Sequence, residues 1–391
     1  MLPALNLPSQ AFDVDLLSCE EGIALLQGEW DRLVNSTAFP NVFMTYDWFQ
    51  AWNRRFASQE PPGHRHPYIL ALKQEGTVTG IVPLVRIVSS RFGITVRHLQ
   101  FVGREWDYND LVIGESSPEQ IHSILEFLSA NQRDWDFVDL RDVRPIGDVL
   151  SSVVPALQKL GLQFRILPEE ERSPYMLITG TWQDTLARCS AKTRQTFRYR
   201  QSRSRKLYAG QLRIRIVEQP HEEPQLLQRM MAVEAKKRVG GVLSVPFLGQ
   251  YPDVFARLFE TLGPKGWFTI ILMELGDRLI AWNLLFRCGA KLWGYVTAYD
   301  NEFSRLSPGT MLLPAIVDYS FSRGFHECDF LSGEEPYKMR WATGIREKYR
   351  IVIWNPRLPS RLRSALYFGV RRHERIVQPA WHDSAGDHCK S

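Results

Sequence analysis

A pattern that repeats along the 391 residues limits the possible folds strongly. Residues 77–86 align with residues 278–287, and residues 138–140 align with residues 328–330, so the copies lie about 190 to 200 residues apart. Each copy runs strand, helix, hairpin, strand, helix, strand by its hydrophobic spacing. We therefore predict an α/β (α+β) protein of two tandem domains, each a mixed central sheet flanked by helices. Two unrelated α/β domains of similar element order are the alternative.

The length of the chain suits two domains better than one. The acidic segment 168–172 is a candidate linker between them. We predict an N-terminal domain at residues 1–172, a C-terminal domain at 173–355, and a basic C-terminal helix and tail at 356–391.

Residues 293–341 read as strand, loop, helix, strand and loop. The loop before the helix, and the helix start itself, hold Arg305, Ser307, Gly309 and Thr310. Backbone N–H groups at a helix start, together with the positive end of the helix dipole, favour an anionic group such as a pyrophosphate. We predict that these four residues bind a phosphorylated donor; an ordinary loop and helix cap is the alternative.

Five segments carry a resemblance to a known family. They are FMTYDWFQAWNRRF, LQFVGREWDYNDLVI, WDFVDLRDV, SRLSPGTMLLPAIVDYSFSRG and, most specific, CDFLSGEEPYKMRWAT. Over about residues 10–355 the chain resembles the FemAB-like branch of the GNAT superfamily, in particular the CelD/BcsL-type acetyltransferases associated with cellulose biosynthesis. The resemblance implies tandem GNAT-like domains. It also implies acetyl-CoA or acyl-CoA as co-substrate, and an amine or hydroxyl of a sugar, polysaccharide or cell-envelope precursor as acceptor.

Acyl transfer needs a base for the acceptor and a proton donor for the leaving thiolate. Asp329 lies in an apolar strand, so its carboxylate is either a base of raised pKa or the structural partner of Lys338 or Arg340. Glu234 is the second candidate base, on a predicted helix whose solvated face is the alternative. Lys338 could bind phosphate or the oxyanion, and Tyr337 could protonate the thiolate; a salt-bridged loop is the alternative for both.

A polar aromatic group in the first half is suited to a sugar or amine acceptor. It comprises Trp106, Asp107, Tyr108 and Asp110, to which we add Trp341 from the second half. A surface turn is the alternative. Acidic residues at this place would repel phosphate, so we expect the second domain to bind the donor and the first to shape the acceptor cleft.

Composition excludes several classes of protein. A net charge of +5 is modest for this length and does not by itself indicate a nucleic-acid binder. The five cysteines are scattered, and the histidines lack ligand spacing, so we predict neither a disulfide framework nor a metal site. The sequence has no apolar run long enough to span a bilayer and no secretory signal. We expect a cytoplasmic protein, with peripheral contact at the inner membrane face as the alternative.

Two basic segments leave the partners open. Residues 188–206 contain eight basic residues and no acid. A solvated inter-domain helix, contact with donor phosphates, an acidic polymer or anionic lipid, and transfer RNA are the alternatives. Residues 356–378 interleave arginine with apolar residues, as in an interfacial amphipathic helix or a packing helix. The competing functions are a non-catalytic module of an exopolysaccharide synthesis complex and an aminoacyl-tRNA-dependent transferase.

Overall fold

The structure is a computed structural model that describes residues 12–91, 93–102, 108–114, 117–144, 148–208, 210–239, 242–243 and 247–370. The strands of the first sheet are β1 (Asp13–Leu17), β2 (Arg65–Gln74), β3 (Thr77–Arg91), β4 (Ile94–Phe101), β5 (Val112–Ile113), β6 (Phe137–Val143), β7 (Gln163–Pro168) and β17 (Tyr349–Trp354). Those of the second sheet are β8 (Ser173–Leu177), β9 (Leu212–Val217), β12 (Phe268–Leu275), β13 (Arg278–Cys288), β14 (Lys291–Tyr299), β15 (Glu327–Asp329) and β16 (Gly344–Arg346). A separate small hairpin consists of β10 (Arg238–Val239) and β11 (Val242–Leu243).

Helices flank both sheets. In chain order they are α1 (Glu20–Ala24), α2 (Gln27–Ser36), α3 (Tyr46–Gln59), α4 (Pro118–Ala130), α5 (Asp148–Lys159), α6 (Trp182–Arg188), α7 (Ala191–Leu207), α8 (Leu226–Glu234), α9 (Phe247–Gln250), α10 (Pro252–Leu262), α11 (Pro308–Ser322), α12 (Pro336–Met339) and α13 (Leu358–Val370). Among these helices none is both long and apolar enough to cross a bilayer.

The two sheets have the same strand order and the same strand directions. The first runs β1-β2-β3-β4-β6-β17-β7, and the second runs β9-β12-β13-β14-β15-β8-β16. In each sheet, the fourth and fifth strands of this order are parallel and all other neighbours are antiparallel. The predicted α/β class with two tandem mixed sheets is confirmed.

The sixth strand of the first sheet, β17, comes from the segment that we assigned to the second domain. The sixth strand of the second sheet, β8, begins at the border between the two predicted domains. β17 lies between β6 and β7 of the first sheet, and β8, which directly follows the first domain, lies between β15 and β16 of the second. α13 also packs on β4 and β17. The predicted segment 173–355 therefore contains a strand of the first sheet, because strand pairing over such a distance leaves no local mark in the sequence.

Local sequence patterns predicted where helices and hairpins occur better than they predicted how long those elements are. Thr45 is a typical helix N-cap residue, and its hydroxyl does accept the N–H of Trp48 at 3.3 Å at the start of α3. The apolar spacing of residues 20–34 predicts one helix, but the structure divides this segment into α1 and α2. The spacing of residues 223–238 predicts a longer helix than the observed α8, and α10 was not predicted.

A shared aromatic core joins the two domains. Trp48 and Trp52 of α3 belong to the same buried cluster as Phe255 of α10 and Phe286 of β13. The rings of Trp48 and Phe286 lie 5.4 Å apart in an edge-to-face arrangement. The domains are therefore held together by core packing.

Candidate active site

The second sheet opens between β14 and β15. Their parallel pairing extends over three residue pairs, from Lys291 with Glu327 to Trp293 with Asp329. A register shift between Leu284 and Leu285 of β13 lies opposite the next residues of β14, and such irregularities bend a strand. No described strand pairs with this edge of β14 beyond Trp293, and a cleft of about 220 Å³ occupies the space.

The cleft is lined by β13, β14, α11 and the segment that follows β15. Its lining residues include Lys237, Asn283, Gly294, Tyr295, Thr297, Gly309, Thr310, Cys328, Phe330, Glu335, Tyr337, Lys338 and Trp341. Cys328 and Phe330 alternate with Asp329 and so face the cleft from one side of their strand. Burial raises the pKa of the Cys328 thiol, so this cysteine stays protonated and is a poor nucleophile.

The N-terminus of α11 forms one wall. Of the four residues predicted to bind a donor, Gly309 and Thr310 line the cleft, whereas Ser307 and the exposed Arg305 lie outside its lining. Ser307 occupies the cap position in the left-handed region (φ 51°) and makes no side-chain cap hydrogen bond. Pro308 has no N–H and the Thr310 N–H donates to the carbonyl of Ser307 at 2.9 Å, so this helix start offers an anion the Gly309 N–H and the positive end of the helix dipole.

The equivalent helix start in the first domain is capped. α4, which connects the corresponding strands, has a complete capping box: Ser117 accepts the N–H of Gln120, and Gln120 accepts the N–H of Ser117. The cavity beside it measures about 30 Å³ and is lined almost wholly by apolar side chains. Among the described residues, the cleft at a helix start without a side-chain cap lies in the second domain, which supports the expectation that this domain binds the donor.

The polar side chains of the cleft include Glu335, Lys338, Tyr337 and Lys237. The Glu335 carboxylate lies 3.0 Å from the Lys338 ammonium, which also donates to the carbonyl oxygen of Ser332. Burial and the nearby Glu335 raise the pKa of Tyr337 to about 12, so this half-exposed phenol holds its proton at neutral pH. The Lys237 ammonium donates to the carbonyl of Thr297 at 3.0 Å, and burial lowers its pKa.

Asp329 does not line the cleft. Its buried carboxylate accepts hydrogen bonds from the Tyr108 hydroxyl at 3.0 Å, the Arg346 guanidinium at 2.8 Å and the N–H of Leu331 at 2.8 Å. Burial raises its pKa to about 6, against the opposing effect of these donors. The expected partners, Lys338 and Arg340, are wrong: the cation is Arg346, which also binds Glu327 at 2.5 Å. This geometry favours the structural alternative for Asp329.

Glu234 also lies outside the lining. Its carboxylate accepts the N–H groups of Phe247 and Leu248 at 2.9 Å and of Gly249 at 3.3 Å. It thereby caps the start of α9, and burial raises its pKa. The expected solvated helix face is not observed, because the side chain is buried.

The predicted acceptor residues are only partly brought to the site. Trp106 and Asp107 lie outside the described residues. Tyr108 is buried and bound to Asp329, and Asp110 is buried in an ion pair with Arg144 at 2.6 Å, so neither is presented to the cleft. Trp341 does line the cleft, where its ring packs 5.2 Å from that of Trp182.

The sequence analysis missed Lys237 and did not assign a role to Glu335. Glu335 follows the strand end beside Tyr337, so its position in the motif was a usable signal. Lys237 follows α8 and reaches the cleft only through tertiary packing on β14, which no local pattern reveals. Within the described ranges, no group of acidic, histidine and cysteine side chains is placed to hold a metal ion.

Comparison with known proteins agrees with this geometry. Residues 191–339, which include α11 and most of the cleft, match the family model described as an acetyltransferase (GNAT) domain. No curated protein matches the chain. A solved structure of FemX superposes with a TM-score of 0.58 at 13% identity, covering 83% of this chain and 95% of that chain. A conserved protein of unknown function from Bacteroides thetaiotaomicron gives 0.55 at 11% identity, covering 87% and 100%. The second domain is thus similar to GNAT acetyltransferase domains, and most of the chain has a fold similar to that of FemX.

Proposed function

We propose that the protein is an acyltransferase that takes its acyl group from acyl-CoA. The observation that carries the proposal is the cleft between β14 and β15, open at the uncapped start of α11. The donor phosphates would lie at Gly309 and Thr310, where the Gly309 N–H, the Thr310 hydroxyl and the helix dipole favour negative charge. The pantetheine arm would follow the edge of β14, whose backbone groups offer hydrogen bonds as a strand partner would.

The polar side chains of the cleft suit acyl transfer. The acceptor nitrogen or oxygen attacks the thioester carbon, the carbon–sulfur bond breaks, and the acceptor's proton passes to the Glu335 carboxylate. The thiolate that leaves takes a proton from the Tyr337 phenol. Lys338 holds Glu335 in place, and Lys237 supplies positive charge for the developing oxyanion.

The acceptor is an amine or hydroxyl of a sugar, polysaccharide or cell-envelope precursor, as the resemblance to CelD/BcsL-type sequences implies. Trp341 provides an apolar surface for it inside the cleft. A donor carried by transfer RNA is the second candidate, and the cationic helix α7 favours it. A non-catalytic binding module would require none of the proton-transfer groups that line this cleft.

Exchange of adjacent carboxylates tests the proposal. Glu335→Gln should lower kcat by roughly two to four orders of magnitude, the usual loss for a general base, with little change in acyl-CoA affinity. Glu334→Gln is the matched control, since Glu334 pairs with Arg172 at 2.6 Å outside the cleft lining. Affinity for acyl-CoA is measured by calorimetry and turnover by release of free thiol. A wild-type protein that binds no acyl-CoA would refute the proposal; equal turnover in the two variants would remove Glu335 from it.

A further inference from the structure

The C-terminal helix α13 carries an apolar stripe on its outer face. Leu358, Leu362 and Leu366 recur every four residues and so lie along one side of the helix, and 69%, 59% and 51% of their surfaces are exposed. The inner face contacts the first domain through other residues: Ser360 and Ser364 are buried. The three leucines of the stripe are therefore not needed to pack the helix on the first domain.

The ring contacts of α13 confirm which face is the inner one. Tyr367 and Phe368 lie 5.1 and 4.9 Å from the ring of Phe137 on β6. The Ser364 hydroxyl donates to the carbonyl of Asp136 at 3.1 Å. These contacts fix the rotation of the helix about its axis and direct the leucines outward.

Positive charge flanks the stripe, and the described helix contains no acidic residue. Arg361 and Arg363 lie on opposite sides of the leucines by their helical positions, and Arg357 precedes the helix. Within the described part of the chain, neither Arg357 nor Arg361 forms an ion pair. The sequence continues with Arg371 and Arg372, which lie outside the described residues.

A shallow hollow borders the stripe. It is lined by Pro359, Leu362 and Leu366 of α13 and by the start of β4, with Arg97 and Arg363 among its walls. Both guanidiniums approach the single buried carboxylate of Asp136, at 3.4 and 3.2 Å. Two cations facing one anion leave a net positive charge beside an apolar surface.

We propose that α13 binds the surface of an anionic lipid membrane, with the three leucines inserted among the acyl chains and the arginines at the level of the phosphates. An apolar stripe flanked by arginine is the pattern of a helix that lies in the membrane interface. Each arginine near an anionic surface adds to the attraction, and that attraction weakens with salt. The proposal does not depend on the acyltransferase assignment.

Vesicle flotation of the full chain tests the proposal. Vesicles of phosphatidylcholine with phosphatidylglycerol should bind the wild type, and binding should fall as salt is added; vesicles of phosphatidylcholine alone should bind much less. Leu362→Ser/Leu366→Ser should lower the partition onto anionic vesicles at least about tenfold, because two inserted side chains are lost. Leu25→Ser, at a leucine 86% exposed directly after α1, is the control and should bind as the wild type does.

The same variants test whether the stripe is covered by something other than a membrane. Light scattering shows whether the wild type is a dimer that the double variant separates; with no vesicle binding, that result would assign the stripe to a second copy and overturn the proposal. Vesicle binding that is equal in the wild type and the double variant, with both proteins folded by circular dichroism, would also overturn it. So would a wild type that binds neither kind of vesicle.

Discussion

Asp329 shows how a residue can look catalytic in the sequence and be structural in the fold. A carboxylate inside an apolar strand needs a partner or a raised pKa, and Asp329 has both. Its counterpart in the repeat, Asp139 on β6, binds Arg350 at 2.7 and 2.9 Å. The same pairing in both copies indicates that these ion pairs hold the sheets together.

The ion pair predicts a loss of stability that depends on pH. Arg346→Gln leaves the buried Asp329 carboxylate without its cation and the buried Glu327 with Lys291 alone, at 3.3 Å, and should cost about 3–5 kcal/mol of unfolding free energy. Burial already raises the pKa of Asp329 to about 6, and without Arg346 it should rise further. The folded pKa then exceeds the unfolded value of about 4, so stability is lost as pH rises between them.

The penalty for Arg346→Gln should therefore be larger at pH 8 than at pH 5 in urea denaturation. Arg172→Gln is the control, because that arginine forms an exposed pair with Glu334. It should change stability by less than about 1 kcal/mol at either pH. An equal penalty for Arg346→Gln at both pH values would show that Asp329 and Glu327 do not depend on this cation.

The start of α11 makes a prediction for donor binding. Gly309→Asp places a carboxylate beside the expected phosphates and should weaken acyl-CoA binding about tenfold or more. A Cβ at Gly309 meets no atom within 4 Å, so the variant should fold normally. Gly28→Asp is the matched control, since Gly28 is also the second residue of its helix and also has open space. Equal acyl-CoA affinity in both variants, measured by calorimetry, would place the donor elsewhere.

The charge of helix α7 bears on whether the acyl donor is acyl-CoA or is carried by transfer RNA. Its seven cations are Lys192, Arg194, Arg198, Arg200, Arg203, Arg205 and Lys206, and within the described residues none of them forms an ion pair. Arg194 donates to the carbonyls of Ala187 and Cys189 and so has a structural role. The other six cations are available to bind a polyanion. If α7 is only a solvated helix, no such binding is expected.

Changing Arg198, Arg203 and Arg205 together to Gln should therefore weaken binding of transfer RNA and reduce its salt dependence, if α7 binds phosphates. Binding is measured by fluorescence anisotropy over a range of salt concentrations. The control changes Arg32, Arg54 and Arg323 to Gln; these exposed arginines are each paired with a glutamate and alter net charge equally. No wild-type binding, or equal losses in both triple variants, would leave α7 as a solvated connector.

At the level of elements, the sequence predicted what local periodicity encodes and missed what depends on distant pairing. The hairpins of β2–β3 and β12–β13 were predicted because alternation and a Gly-containing turn specify them locally. The helix start near Gly309 was predicted from the loop that ends there and from the apolar residues at helical spacing that follow it. The strands β16 and β17 were not predicted, since short strands are defined by their partners. The choice of Glu335 over Asp329 as the proposed base required knowledge of which side chains face the cleft.

The exchange of sixth strands couples the two domains into one molecule. The segment from β16 to β17 leaves the second sheet and enters the first within a few residues. Lys348, between them, is buried and binds Asp142 of the first domain at 2.8 Å and the hydroxyl of Ser332 in the second. Together with the shared aromatic core, this crossing predicts that neither domain unfolds alone.

Two core variants test this coupling. Ile353 on β17 is buried in the first domain's core, and Ile271 on β12 is buried in the second domain's core. Ile353→Ala and Ile271→Ala should each lower the unfolding free energy by about 2–5 kcal/mol, and both should shift one common transition in urea. Ile345→Ala, at a partly exposed position of β16, is the control and should have an effect within about 0.5 kcal/mol.

Hydrogen exchange gives the decisive measurement: Ile353→Ala should speed exchange in both sheets, although the residue lies near the end of the chain. Two separate transitions, with Ile353→Ala moving only one of them, would show that the domains unfold independently despite the exchanged strands.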